Sequence, residues 1–589
     1  MFSKVLVANR GEIAVRIIRA LEELGIASVA VYSELDRDAL HVARADEAYL
    51  LGAGESSETY LNVERLLEVV AECGAQAVHP GYGFLAENAA FAAQCEQRGI
   101  VFIGPSAAAI EAMGTKTGAR ALMAKAGVPI VPGTTAPVKT VAAARKLIDA
   151  GIGYPVAVKA SGGGGGKGLR VAGGVDELAD AFEGAAREGK RFFGDATVYL
   201  ERYLPDPRHV EVQVLADAHG NVVHLGERDC SVQRRHQKLI EESPAPPWVV
   251  DAALRERIGE IAVEAARAID YQGAGTVEGL LVDGEYYFLE MNTRVQVEHC
   301  VSEMTTGIDI VKTGIRVAAG EPLAFAQEDV VLRGHAIECR INAEDAARRF
   351  MPTPGRISSY REPSGPGVRV DSGVGAGSVI SPSYDPMVAK LIVWDSDRAA
   401  ATARMLRALG EFEIGGLSTL IPFHRRLLAT TQWAAGETCR DLLEDDAWLA
   451  AIPAADPAEA DDAEETVTLG YTVEVSGRRF DVRVSGPPAA GAPAARDGAR
   501  PAPKRAARPG AATNHSGGGD VLQSPMQGTV LKIAVETGAR VEQGALIAII
   551  EAMKMENEVT AHKAGTIASL PISVGASVAS GDAIAVIES

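Results

Sequence analysis

Residues 155–171 read PVAVKASGGGGGKGLRV. Two apolar, partly β-branched runs, Pro155–Ala160 and Leu169–Val171, flank an almost pure glycine loop that ends in Gly166-Lys167-Gly168. Glycine reaches positive φ and lets backbone N–H groups approach phosphate oxygens without a Cβ in the way. A slack linker would not sit between two strands, so the segment reads as a flap that covers phosphates. It is not a Walker A loop. With Gly166-Lys167 as the GK pair, that pattern needs Gly at 161 and Ser or Thr at 168, where Ser161 and Gly168 stand.

Upstream, residues 1–113 alternate strand candidates (Lys4–Ala8, Ala27–Tyr32, Ala75–His79, Ile100–Ile103) with helical patterns such as Ile13–Leu24 and Val63–Cys73. Strand-helix-strand order with short connections predicts a parallel, helix-covered sheet. Gly81-Tyr82-Gly83-Phe84-Leu85-Ala86 follows a strand and is expected to open a helix, half-matching a dinucleotide fingerprint. No acidic residue closes a strand some twenty residues on, since Ile103-Gly104-Pro105 stands there, so that reading is set aside.

Downstream, Asp283-Gly284 signals a hairpin between Gly275-Thr276-Val277-Glu278 and Tyr286-Tyr287-Phe288-Leu289-Glu290-Met291-Asn292. A three-residue loop centred on Gly284 would set Glu278 opposite Glu290. Two carboxylates and an Asn amide oxygen suit a hard divalent cation that shares its ligands with phosphates. Beyond the hairpin, Glu290, Asn292, Arg294, Gln296 and Glu298 recur every second residue, so an extended segment would place them on one face. Glu227-Arg228-Asp229 and Gln233-Arg234-Arg235-His236-Gln237-Lys238 form a cation-rich segment, by itself a charged helix or loop, that suits anions such as phosphate and bicarbonate.

The chain has 589 residues, enough for several domains, with an ordinary apolar content of 47%. Its formal charge of −20 argues against nucleic acid or an anionic membrane as main partner. The six cysteines (73, 95, 230, 300, 339 and 439) include no C-x-x-C, so no zinc or dithiol site is signalled. Arg10, Glu12 and Arg16 interrupt the first apolar run and no span is long and apolar enough for a bilayer, so a cytoplasmic protein is expected.

After residue 445 the composition changes. Residues 451–465 are acidic and Ala/Pro-rich, a short strand pair around Ser476-Gly477 follows, and 486–519 are Ala/Pro/Gly-rich with scattered arginines, reading as a disordered tether. Last comes an internal repeat with an offset of 37. Gly528 falls on Gly565, Gly538 on Gly575, Val541 on Val578, Gly544 on Gly581, and the 547–551 run on 584–588. Two such β units should pack as a flattened barrel with pseudo-twofold symmetry. Between the copies lies Met553-Lys554-Met555, a lysine between methionines that reads as a modification site on a hairpin tip.

These segments together resemble a known family. Residues 1–445 are similar to biotin carboxylase, an ATP-grasp enzyme, through Ala8–Ala14 (ANRGEIA), His79–Asn88 (HPGYGFLAEN), Lys159–Gly168, Glu227–Lys238 (ERDCSVQRRHQK), Glu290–His299 (EMNTRVQVEH) and Arg340–Asp345 (RINAED). Residues 521–589 resemble a biotin carboxyl carrier domain, with Glu551-Ala552-Met553-Lys554-Met555 as the biotinylation signature. The resemblance implies an α/β and α+β fold. A pre-ATP-grasp parallel sheet (1–113), an ATP-grasp domain (114–330) and a C-terminal α+β domain (331–445) are followed by a linker (446–520, with a short β element at 466–484) and an all-β flattened-barrel biotinyl domain (521–589). Two residues depart from the family pattern: Gln527 where many carriers have a Pro, and Cys300 where a Pro is commoner.

The reaction the resemblance implies joins ATP, bicarbonate and a biotinyl carrier to give ADP, phosphate and carboxybiotin. Lys116 and Lys159 would hold ATP phosphates under Gly165 and Gly166, with Gln233 and His236 nearby. Glu201, Leu204 and His209 would hold adenine and ribose. Glu278, Glu290 and Asn292 would take two Mg²⁺ or Mn²⁺ ions. Lys238, Arg294, Gln296 and Val297 would bind bicarbonate, with Glu298 as its base, while Arg294 and Arg340 would steady charge on the biotin ring. Biotin would be amide-linked to Lys554 by a biotin protein ligase. Carboxylase, linker and carrier in that order, without a transferase, resemble the α subunit of an acyl-CoA carboxylase. The expected partner is a carboxyltransferase β subunit, in a hetero-oligomer, passing the carboxyl group to acetyl-CoA or propionyl-CoA. A methylcrotonyl-CoA or pyruvate carboxylase subunit, or a lipoyl-type carrier fused to another ATP-grasp ligase, are the alternative readings.

Overall fold

A computed structural model describes residues 1–160, 168–453, 467–475, 478–486, 520–526, 528–552, 555–579 and 581–588. The chain divides into two compact units, Met1–Asp456 and Pro457–Ser589. The flap glycines Gly165 and Gly166, the carrier lysine Lys554, and the 487–519 tether lie outside the described residues.

The first unit begins with a five-stranded, all-parallel sheet in the order Glu47–Gly52, Ala27–Ser33, Lys4–Val7, Ala77–His79, Val101–Phe102. The expected strands are all present. Glu47–Gly52, which the sequence pattern left unassigned, adds an edge. Alternation along the central strand feeds two cores: Leu6 joins Val29, Val31 and Val78 on one face, and Val5 and Val7 join Ile13, Ile17 and Ala77 on the other. The helix Val63–Cys73 begins where the Asn62 side chain accepts from the Arg65 N–H and ends at Gly74 in the left-handed region. The Gly81–Ala86 stretch forms turns; the next helix, Ala89–Gln97, starts later, capped by Asn88.

An eight-stranded antiparallel sheet follows, in the order Glu285–Asn292, Gly273–Val282, Arg208–Ala216, Val222–Arg234, Gln237–Ser243, His335–Asn342, Met387–Asp395, Val368–Ser372. Glu241 pairs with Glu338 across the point where a boundary was expected at 330, so one sheet continues through it. A separate three-stranded sheet, Leu169–Ala172, Val156–Ala160 and Val198–Arg202, packs on the helices Val141–Leu147 and Leu178–Phe193.

Three local expectations need correction. The Asp283-Gly284 hairpin has a two-residue turn, with both residues at positive φ and Val282 facing Glu285. A register shift between Glu278 and Gly279 then restores Glu278 opposite Glu290, so the pairing holds through a bulge rather than a longer loop. The period-two face is a strand only to Asn292; residues 293–298 leave the sheet and lead into the helix His299–Thr306. The cation-rich stretch is neither helix nor loop but the end of the Val222–Arg234/Gln237–Ser243 hairpin, turning at Arg235-His236.

In the second unit, Val467–Val475 and Arg478–Gly486 pair antiparallel. The repeat folds as two four-stranded sheets, with Gly528–Ile533 matching Gly565–Ser569 and Leu546–Ala552 matching Ala583–Glu588. Their facing rows close one core in which Val530, Ile547 and Ile550 meet Ile567, Ile584 and Ile587. The equivalence extends to backbone clearance. A Cβ on Gly528 would lie 2.3 Å from the Glu551 carbonyl oxygen, and one on Gly565 2.2 Å from that of Glu588. Strand pairing ends at Ala552–Met555, on either side of Met553-Lys554.

The matched clearance predicts matched penalties. Gly528→Ala and Gly565→Ala should each destabilise the carrier by about 1–3 kcal/mol. Scanning calorimetry of the full chain should show the carrier transition lowered to a similar extent in both, with the larger unit's transition unmoved.

Candidate active site

A cavity of about 820 Å³ opens between the small three-stranded sheet and one face of the eight-stranded sheet. That volume is in the range of cofactor and nucleotide pockets. Every described residue singled out from the sequence lines it: Lys116, Lys159, Glu201, Leu204, His209, Gln233, His236, Lys238, Glu278, Glu290, Asn292, Arg294, Gln296, Val297, Glu298 and Arg340.

The floor is written across neighbouring strands. Glu290 faces Glu278, Glu278 faces Glu211, and Glu211 faces Arg228. Along the Arg208–Ala216 strand, His209, Glu211 and Gln213 point to this face while valines fill the other. Arg228 has no exposed surface and satisfies its whole donor fork. Nε donates to Glu211 (2.6 Å), Nη1 to Gln213 (2.8 Å) and Ser302 (3.1 Å), and Nη2 to Gln296 (2.7 Å) and Thr276 (3.1 Å). Arg228 thereby fixes Gln296, which in turn donates to Glu278 Oε1 at 2.6 Å.

Lys238 is the hub. Its ammonium donates to Glu211 (2.5 Å), Glu278 (2.8 Å) and Glu298 (2.5 Å). Burial opposes its charge, but the three carboxylates outweigh that and hold it well above lysine's usual range. The effect is mutual. Despite burial, Lys238 and then His209 hold the Glu278 carboxyl well below the usual carboxylate range. Lys238, with Arg340 and Arg228, lowers Glu298 against burial and the nearby Glu211. The second oxygen of Glu298, a residue only 2% exposed, accepts from Arg340 Nη2 at 2.9 Å. His209 lies 3.1 Å from Glu278; although buried, it is raised to about 9, chiefly by that carboxylate. His236 moves the other way, because burial and then Lys116 and Arg440 disfavour its cation.

Around this floor three further cations lean on carboxylates. Lys159 meets Glu201, which also holds Arg120. Lys116 lies 3.4 Å from Glu290. Arg294 donates to Glu87 (2.9 Å) and to the Asn292 amide oxygen (3.0 Å). An incoming polyanion finds cations already aimed at the cavity, each able to exchange a carboxylate for a phosphate oxygen. Glu278 and Glu290 on paired strands, with Asn292 two residues along, form a hard-oxygen donor set that fits Mg²⁺.

Sequence reading did not single out Glu211, Glu87 or Arg120 for this site, and it noted Arg228 only within the cation-rich segment. The alternating His209, Glu211 and Gln213 among valines carried a signal. Glu87 stands in the His79–Asn88 motif, but nothing in residue order joined it to Arg294, and Arg120 carried no signal, because each reaches the site from a distant segment.

Four family profiles match the chain. They are the biotin carboxylase N-terminal domain (residues 1–110), the carbamoyl-phosphate synthase L chain ATP-binding domain (115–326), the biotin carboxylase C-terminal domain (338–445) and a biotin-requiring enzyme domain (520–587). A biotin-dependent acyl-coenzyme A carboxylase alpha3 subunit from Mycobacterium leprae is 47% identical over 95% of this chain and 94% of its own. A pyruvate carboxylase subunit from Methanothermobacter thermautotrophicus is 55% identical over 74% of this chain and 88% of its own. Among solved structures, the biotin carboxylase domain of Hydrogenobacter thermophilus 2-oxoglutarate carboxylase, in complex with MgADP and bicarbonate, superposes with a TM-score of 0.71 at 48% identity, over 75% of this chain and 98% of that one. The chain therefore belongs to the biotin-dependent carboxylases, joining an ATP-dependent biotin carboxylase to a biotin carrier domain.

Proposed function

We propose that this chain is the α subunit of an acyl-CoA carboxylase, with Glu298 as the base that activates bicarbonate and Lys554 as the attachment point of biotin. The observation that carries the base assignment is the setting of Glu298, a buried, ionised carboxylate held between Lys238 and Arg340 at the cavity floor.

Bicarbonate is a weak nucleophile, so its attack on the γ-phosphorus of ATP is helped by removal of its proton, the part given to Glu298. Lys238, with Arg294, Gln296 and Val297, would hold the anion beside that carboxylate. Lys116 and Lys159 would release Glu290 and Glu201 to take phosphate oxygens, and Gly165 and Gly166 would cover them. Leu204 and His209 would frame the nucleoside, with Gln233 and His236 at the rim. The Glu201 carboxylate is occupied by Lys159 and Arg120, which suits a supporting part better than direct contact with adenine. Glu278, Glu290 and Asn292 would hold Mg²⁺, which when bound neutralises charge on the transferred phosphoryl group. Arg340, fixed by Glu241 at 2.6 Å, stands beside Glu298 to meet negative charge on the acceptor ring.

Biotin on Lys554 has to reach both this cavity and the partner. A tether of 34 residues (486–519) gives a root-mean-square span of roughly 30–35 Å, which raises the local concentration of carrier. The acyl-CoA reading is supported by a likeness that runs through the segment after residue 445. The pyruvate carboxylase reading is supported by the higher identity confined to the carboxylase portion. The free, buried cysteines support a reducing compartment.

Glu298→Gln should keep ATP binding but lower bicarbonate-dependent ATP cleavage by about 10²–10⁴-fold; near-normal turnover in a steady-state assay would remove Glu298 from this role. Because Glu298 is held below the usual carboxylate range, chiefly by Lys238 against burial, its base form persists from neutrality into acid, and loss of that form should appear only below the ordinary carboxylate range. Lys554→Arg should gain no biotin mass after treatment with biotin protein ligase, yet still carboxylate free biotin. Copurification with the native β subunit, followed by assay with acetyl-CoA, propionyl-CoA, methylcrotonyl-CoA and pyruvate, should give turnover with the first two; turnover on pyruvate alone would favour the other reading.

A further inference from the structure

The strand that carries Arg340 into the cavity carries Glu338 two residues earlier on the same face. Glu338 is fully buried, and neither of its carboxyl oxygens has a hydrogen-bond partner among the described residues. Its cross-strand neighbours are Glu241 and Ile392. Glu241 is equally buried. One of its oxygens accepts from Arg340 Nε at 2.6 Å, and the other has no partner among the described residues. The helix His299–Thr306 covers this face, and its Cys300 and Val301 join Ala336 and Ile392 in an apolar cluster. Two neighbouring carboxyl groups under an apolar cover cannot both ionise cheaply.

The surrounding charges are already committed. On its own strand, Arg340 is divided between Glu241 and Glu298. From Met387–Asp395, the Lys390 ammonium donates to the Val297 carbonyl (2.6 Å) and Cys300 (3.1 Å), and lies 3.3 Å from Glu12. Tyr82 also bonds Glu12. From Val368–Ser372, Asp371 pairs with Arg369, which also reaches Glu303. From the helix start come His299, whose Nδ1 lies 2.8 Å from the Gln296 carbonyl, and the Cys300 thiol, near Asp371. Burial and then Glu241 push the Glu338 acid well above the usual range, against Lys390; burial lifts Glu241 to about 7, against Arg340.

We propose that Glu241 and Glu338 form a buried carboxyl pair that holds one proton, and that this single negative charge keeps Arg340 shared with Glu298. The proton resides on Glu338, which has no partner among the described residues, and the charge on Glu241, which faces the guanidinium. Both are positioning residues, acting through Arg340. When the shared proton leaves, a second anion appears beside Arg340 and draws the guanidinium off Glu298. The consequence for turnover rests on the roles given above to Glu298 and Arg340; the proton itself does not. An acid raised by folding binds a proton that the unfolded chain has released, so this pair lowers stability as pH rises above the ordinary carboxylate range.

The test uses the full biotinylated chain. An infrared difference spectrum of wild type against Glu338→Gln at neutral pH should contain the C=O band of a protonated buried carboxylic acid. In Glu241→Gln that band should remain and titrate at lower pH, since the neighbouring carboxylate is gone. In the pH profile of kcat for bicarbonate-dependent ATP cleavage, Glu338→Gln should move the alkaline midpoint upward by about half a pH unit or more, whereas Glu338→Asp should keep an alkaline limb. Absence of the band, a titration unmoved in Glu241→Gln, or an alkaline midpoint unmoved in Glu338→Gln overturns the proposal. The band is read without turnover, so it fails or stands separately from the role of Glu298, which Glu298→Gln tests.

Discussion

The cavity depends on one ammonium group enclosed by three carboxylates. Lys238 holds Glu211, Glu278 and Glu298 within 2.8 Å. Removing a partner from a buried ion cluster costs about 3–5 kcal/mol, because the remaining charge is left without compensation. Arg228 extends the same cluster into the sheet through Glu211 and Gln296, with every guanidinium donor used. Charges that would be intolerable singly become a rigid, pre-aimed floor. Cations, Lys238 first among them, hold the Glu278 and Glu298 carboxyls below the usual carboxylate range despite burial.

That arrangement suits a reaction in which charge spreads over a transferred phosphoryl group. The groups that meet it are in place beforehand and need only exchange partners, so little reorganisation is left for the chemical step. Lys116, Lys159 and Arg294 each lean on a carboxylate at the cavity wall. Continuity of the sheet through residue 330 has a related consequence. Arg340 reaches Glu298 because its strand pairs directly with the one that carries Glu241, next to Lys238's own end of the hairpin. Sequence blocks that look like separate domains thus share one cavity floor.

The carrier is built on a different plan. Its two halves bury the same positions at an offset of 37, and the same glycine in each half admits a carbonyl where a side chain would collide. Neither half could close a core by itself.

Much of this was legible in residue order. The parallel sheet, the internal repeat and the polar residues from Glu290 to Glu298 followed from local pattern, because period, turn chemistry and side-chain type act over short stretches; Lys116, Lys159, Leu204 and His209 came from the family resemblance, and the flap glycines and Lys554 lie outside the described residues. The pairing of Glu278 with Glu290 was legible too, although a two-residue turn and a bulge produce it in place of the longer loop that counting suggested. What only the tertiary structure decided was which charges meet. Glu87 reaches Arg294 across 207 residues, Arg120 reaches Glu201 across 81, and Glu338 lies beside Glu241 although neither belongs to a recognisable motif. Burial, not sequence, gives the last two contacts their strength. A carboxyl group in water is an ordinary acid; buried beside a second one, next to the apolar cluster of Cys300, Val301, Ala336 and Ile392, it is pushed toward its neutral form, and only the packed sheet puts it there.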